Sequence, residues 1–172
     1  HHAALPYVEV GSFIRDLRSV GGTAARALEF TILTAARTGE VIGAGWDEID
    51  LASGVWTIPG ERMKAGKEHR VPLSDQARTL LEQLPREHRN PHVFTGLRAG
   101  KHLSNMAMSK TLKDMGRDTI TVHGFRSTFR DWTAERTAYP REICEAALAH
   151  VNKDRVEAAY LRGDALAKRA RL

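Results

Sequence analysis

The sequence predicts a mostly helical α+β fold carrying one small antiparallel three-stranded β-sheet. Three observations point there. Apolar residues recur at helical spacing before residue 45 and again from Val122 to the end. Between these stretches, residues 46–74 change to short alternating runs broken by Gly54, Pro59-Gly60 and Ala65-Gly66. With 172 residues, 42% of them hydrophobic and 27% charged, the chain can bury one real core, and no repeat, linker or low-complexity tract divides it. Residues 1–172 are therefore expected to form a single domain.

Pro6 and Tyr7 lead into a helix expected near 8–19, where Val10, Phe13, Ile14 and Leu17 form an apolar stripe. Gly21-Gly22 ends it. Thr23 is the expected cap of the next helix, AARALEFTILTAAR, which is apolar nearly all round and so predicted to be buried. Arg37 is expected at its C-terminal end, before the stop signal Thr38-Gly39, with Glu40 to Gly43 forming another turn. WDEIDL, GVWTIP and HRVPLS read as the three strands, and the turn from Met63 to Glu68 carries Lys64 and Lys67. Residues 75–84 return to helix, HVF (92–94) is expected as a short strand, and Leu103 to Met115 as a helix. HGFRSTFRDWTAER, PREICEAALAH (Pro140 in its first turn), DRVEAAYLRG and a short basic ALAKRARL complete the helices.

Net charge is +5, and it is uneven: residues 1–100 hold 12 Lys+Arg against 12 Asp+Glu, so the surplus lies wholly in 101–172. A basic segment fits a polyanionic partner, although a solvated basic face would have the same composition. No apolar run is long enough to cross a bilayer, so a cytoplasmic location is expected. Cys144, the single cysteine, cannot form an internal disulfide and sits on an apolar helical face as a buried thiol. His88 and His92 are interrupted by Pro91 and lack companion acids or cysteines, so no metal site is expected; no Gly-rich phosphate loop points to a nucleotide cofactor. Trp46, Trp56 and Trp132 are expected in the core. Lys110, Lys113, Arg117 and Arg130 fit either DNA phosphates or a solvated face.

What remains is a set of reactive residue types in order: Arg37, Lys64, His123, Arg126, His150 and Tyr160. A phosphodiester can be broken without a metal when protein cations take the charge that develops on the phosphate oxygens. Arginines suit this task, because the planar guanidinium matches phosphate geometry and stays charged. A histidine near them can donate to the same phosphate or handle a proton. A tyrosine hydroxyl, with a free pKa near ~10, needs neighbouring cations or a base to attack. A lysine on a hairpin turn can protonate a leaving oxygen. Of the three tyrosines, Tyr7 lies far upstream and Tyr139 precedes Pro140 in a helix-to-helix turn as an anchor; Tyr160 stands near the chain end between basic residues. Spacing alone also allows Tyr160 to be an ordinary half-buried helix tyrosine.

AARTGEV, MKAGKEHRVPLS, HGFRSTFRDW and LAH followed ten residues later by tyrosine resemble, in that order, the signature boxes of the tyrosine recombinases, the phage-type integrases. The match spans essentially the whole chain. The resemblance implies that Arg37 and Arg126 clamp the scissile phosphate, that Lys64 is general acid to the 5′ oxygen, and that His123 assists proton transfer and holds the phosphate. It also implies that His150 positions the phosphate or the tyrosine, that Tyr160 forms a 3′-phosphotyrosine, and that Glu40 supports the arginine box. Lys67 rivals Lys64, and the second histidine stands in LAH where LGH is commoner.

The same resemblance implies a tyrosine recombinase catalytic-domain fold, with upstream DNA-binding domains absent from this chain, and integration and excision of a prophage or genomic island. The implied partners are double-stranded DNA attachment sites, other protomers in a synaptic tetramer, and host DNA-bending proteins; no metal or nucleotide cofactor is implied. ALAKRARL would belong to a tail that docks on a neighbouring protomer. Two other readings share some of these features: a type IB topoisomerase-like enzyme that relaxes DNA, and a DNA-binding module with a silent site.

Overall fold

A computed structural model describes residues 3–150 and 163–172. The three strands are β1 (Ile49–Asp50), β2 (Val55–Ile58) and β3 (His69–Pro72), paired antiparallel in the order β1-β2-β3. Register follows the burial alternation: Trp56 and Ile58 point into the core, and Trp56 stands opposite Val71 while Ile58 stands opposite His69. Residues 46–48 wind into a 3-10 turn instead of extending β1.

The helices are α1 (Val10–Val20), α2 (Gly22–Thr34), α3 (Thr38–Ile42), α4 (Asp75–Gln83), α5 (Ala107–Asp114), α6 (Gly124–Arg136), α7 (Arg141–Ala147) and a terminal turn, Leu166–Arg169. α2 is central and packs against α1, α3, α4 and α5. As expected it is buried, through Ala25, Ala27, Leu28 and Phe30. Its one buried acid, Glu29, is held by Arg18 at 2.7 Å and Arg26 at 3.0 Å, which offsets the cost of taking a carboxylate out of water. Phe30 joins helix to sheet through Trp56 at 5.3 Å and Phe94 at 5.5 Å between ring centroids. Phe13 of α1 meets Phe125 of α6 at 5.3 Å.

Several boundaries differ from expectation. α2 is capped by Gly21, with φ 72°, rather than by Thr23. It stops at Thr34, because Ala35 turns left-handed (φ 51°), so Arg37 is the N-cap of α3 and not the end of α2. Residues 92–94 contribute only an isolated bridge, Gly45 to His92. α5 begins at Ala107 rather than Leu103. α7 stops at Ala147, and His150 follows the left-handed Ala149 (φ 49°), outside the helix expected to contain it.

The chain start is tied under α6. Thr128 Oγ1 donates to the Leu5 carbonyl at 2.6 Å, and the Thr121 amide donates to the Ala3 carbonyl at 3.1 Å. Gly124 is needed there, since a Cβ at that position would run into the Ala3 carbonyl. The terminal segment lies on this chain's own β3. Arg70 makes a two-pronged pair with Asp164 at 2.7 and 2.8 Å, Arg169 Nη1 donates to the Arg70 carbonyl at 2.8 Å, and Tyr139 Oη donates to the Arg171 carbonyl at 2.5 Å. Tyr139 is thus the anchor that its place before Pro140 suggests. Among the described residues, no helix is long and apolar enough to cross a membrane.

Candidate active site

Three chain segments that carry predicted residues converge on one side chain, Arg126. It lies one turn into α6 and is 5% exposed. Its Nη1 donates to the Ala35 carbonyl, at the junction between α2 and α3. Its Nη2 donates to the Leu148 carbonyl at 2.6 Å and faces His150 Nε2 at 3.3 Å. One planar fork therefore fixes the Arg37 segment and the His150 segment on opposite sides of α6. Two of the carbonyls' neighbours in sequence are strained: Ala35 itself and Ala149, the residue after Leu148, both have positive φ without being glycine.

Arg37 is half-buried beside this fork. Glu40, 4% exposed, accepts from the Arg37 amide at 2.8 Å and from Arg37 Nη1 at 2.8 Å. A glutamate at the third position of a helix reaching back to the N-cap amide is half of a capping box, so the local helix start also aims the guanidinium. Behind it, Arg62 Nη2 donates to the Glu40 carbonyl at 3.0 Å and to Glu48 at 2.8 Å, and Glu48 accepts from Trp56 Nε1 at 2.9 Å. The sheet thereby braces α3.

Burial lowers the Arg126 guanidinium to about 10, and the neighbouring Arg37 cation pushes in the same direction. It remains charged at neutral pH. Among the described residues, no carboxylate lies within ion-pair distance of Arg126. Two adjacent guanidiniums, one balanced by Glu40 and one bonded to carbonyls, leave a local positive surplus suited to a phosphate.

The remaining predicted residues divide. His150 joins the cluster. His123 is the exposed N-cap of α6, and its carbonyl accepts from the Arg126 amide at 3.1 Å. Lys64 and Lys67 are exposed on the turn between β2 and β3, and among the described residues neither makes a hydrogen bond or ion pair. Tyr160 lies outside the described residues. Lys110 pairs with Asp114 at 2.6 Å, and Arg130 is turned to Glu145 at 3.4 Å. Trp56 is in the core, whereas Trp46 and Trp132 are only partly covered.

Two residues that the sequence did not single out border the site. Glu145 Oε2 lies 2.5 Å from His150 Nδ1. A five-residue separation is not a pairing within a helix; it arises in the turn that ends α7, where the His150 amide donates to the Glu145 carbonyl at 3.0 Å. His69, at the start of β3, is lowered to about 4 by burial and by Arg169, with Glu40 opposing and Arg37 reinforcing the shift. The signal for His69 is only that it opens HRVPLS, opposite Ile58. His92 and His102 meet edge to face at 5.1 Å, and no group of metal-ligating side chains occurs among the described residues.

The phage integrase family model matches residues 13–166. The chain is 38% identical over 156 residues to the prophage integrase IntZ of Escherichia coli (strain K12), a match covering 89% of this chain and 39% of that protein. The chain therefore spans about two fifths of the length of that curated relative. Among solved structures it is similar to XerA recombinase, with TM-score 0.68, 16% identity, and coverage of 92% of this chain and 62% of that one. It is also similar to a lambda integrase tetramer bound to a Holliday junction, with TM-score 0.65, 17% identity, and coverage of 88% and 48%. The matched residues include the helix junction that holds Arg37, the turn with Lys64, the whole of α6 and the residue following α7 that faces Arg126. On that breadth of match, this chain belongs to the phage integrase family.

Proposed function

We propose that this chain is the catalytic part of a site-specific DNA recombinase that integrates and excises a mobile element through a 3′-phosphotyrosine, without a metal. The observation that carries the reading is that one guanidinium fork, Arg126, holds the Ala35 carbonyl two residues before Arg37 and faces His150, with the Arg37 charge acting on it. Arg37 and Arg126 would take the non-bridging oxygens of the scissile phosphate, where negative charge grows as the nucleophile arrives. Tyr160 would supply that nucleophile. His123, at the head of α6, would assist proton transfer, and Lys64, on the exposed turn, would protonate the leaving 5′ oxygen. Glu40 holds Arg37 in place and does not touch the substrate.

Assembly into a tetramer on DNA follows from the same reading, and the tetramer of the lambda integrase relative on a Holliday junction supports it. Strand exchange separates this function from topoisomerase-like relaxation. Two duplexes carrying the attachment site, incubated with the full-length protein in EDTA, are expected to give recombinant duplexes. Relaxation of a supercoiled plasmid without recombinants would favour the relaxing enzyme; site binding without either product would favour a silent DNA-binding module.

A further inference from the structure

We propose that Glu145 is a positioning residue, fixing the tautomer and ring orientation of His150 so that its Nε2 is set against Arg126. The proposal rests on the recombinase reading for its catalytic meaning, and on printed geometry for the contact itself. Glu145 Oε2 lies 2.5 Å from His150 Nδ1, and Arg126 Nη2 lies 3.3 Å from His150 Nε2. Burial alone would raise the Glu145 carboxyl. The hydrogen bond from His150 and the charge of Arg130 outweigh this, holding Glu145 below the usual range and ionised at neutral pH.

An ionised carboxylate can only accept, and a guanidinium can only donate. His150 sits between one of each. Its Nδ1 must carry the hydrogen given to Glu145, and its Nε2 must present the lone pair that receives Arg126. The Nε2–H form would set two donors against each other at the arginine.

Glu145 is itself held. Arg130, two residues before Trp132 on α6, approaches its other oxygen at 3.4 Å, and Arg141 on α7 lies at 3.9 Å. The sequence Arg130, Glu145, His150, Arg126 thus begins and ends on α6, bridging it to the end of α7. His150 lies just beyond the helix terminus, after the left-handed Ala149; its amide donates to the Glu145 carbonyl at 3.0 Å, which fixes the backbone but does not orient the ring. A carboxylate from the preceding helix turn supplies that constraint.

The test combines ring ¹⁵N spectra with cleavage kinetics of the full-length protein on a nicked suicide duplex carrying its attachment site. Wild type is expected to show His150 as a single Nδ1–H form. Glu145→Ala should lose that form and slow cleavage by about 10–100-fold, the usual effect of removing an orienting partner. Glu145→Gln, whose amide oxygen still accepts, should restore the Nδ1–H form and most of the rate. A Glu145→Ala, His150→Ala double variant should be no slower than His150→Ala alone. The proposal is overturned if the Nδ1–H form persists in Glu145→Ala, if the double variant shows the product of two independent losses, or if His150→Ala cleaves at the wild-type rate. A wild-type protein that binds its site and forms no adduct, while the spectra still respond to Glu145→Ala, would sink the recombinase reading and leave the contact standing.

Discussion

At the scale of single residues, Arg126 holds structure and chemistry in one group, and the two can be separated by substitution. A lysine keeps the charge but cannot reach the Ala35 and Leu148 carbonyls together. At least one carbonyl then loses its donor, which costs about 1–3 kcal/mol when the group is buried. Arg126→Lys is therefore expected to lower the unfolding free energy from urea melts by that amount and also to reduce covalent adduct formation at least ~100-fold, as loss of a fixed transition-state donor does. Wild-type cleavage by a stably folded Arg126→Lys protein would contradict the role given to the fork.

His69 has a different signature. Its folded-state pKa, lowered from 6.5 to about 4, means the unfolded chain binds the proton more readily. The resulting stability is fully present above 6.5 and is lost as pH falls toward 4. The effect is at most roughly 3 kcal/mol, and less after solvent screening. His69→Gln should flatten urea-melt stability across that window; an unchanged slope would refute it. At this scale the sequence showed which residue types stand in which order; Arg126 faces His150 and holds the segment that carries Arg37. Glu145 was not legible because the expected helix ran through His150, whereas the left-handed Ala149 ends it and the His150 amide turns back to the Glu145 carbonyl.

At the scale of elements, the points that shape the site are two left-handed alanines and one crowded glycine. Ala149 ends α7 at φ 49°, a conformation that costs an L-residue about 1–2 kcal/mol and glycine nothing. This is a physical reason for LGH to be the commoner form of the LAH seen here. Ala149→Gly should be neutral or stabilising by up to about 1 kcal/mol in urea melts, and Ala149→Val destabilising by more than that. The reverse order would show that the turn before His150 is not left-handed.

Gly124 tests the other end of the same architecture. Gly124→Ala drives a Cβ into the Ala3 carbonyl and should cost about 1–3 kcal/mol, read in the same melts. The helix periodicity, the three strands and the buried α2 were legible because apolar spacing dictates them. The break of α2 at Ala35 was not. Its residues are good helix formers, and the chain turns there where the Ala35 carbonyl meets Arg126 and Glu40 caps the next helix.

At the scale of the whole molecule, the sheet and α6 brace the segments that carry Arg37 and Arg126. The sheet braces α3 through Trp56, Glu48 and Arg62, and α6 is clamped between the chain start and the end of α7. The terminal segment, expected to reach a neighbouring protomer, is seated on β3 of its own chain through Arg70, Asp164 and Arg169. Sequence order could suggest such a tail but could not show which surface it covers.

On the proposed function, this framework serves a tyrosine nucleophile that acts without a metal. The most direct measurement is to trap the full-length protein on a nicked suicide duplex carrying its attachment site, in EDTA, and to map the covalent adduct by peptide mass spectrometry. The expected result is an adduct on Tyr160 that disappears in Tyr160→Phe. An adduct on another tyrosine, or an absolute requirement for a divalent metal, would contradict it.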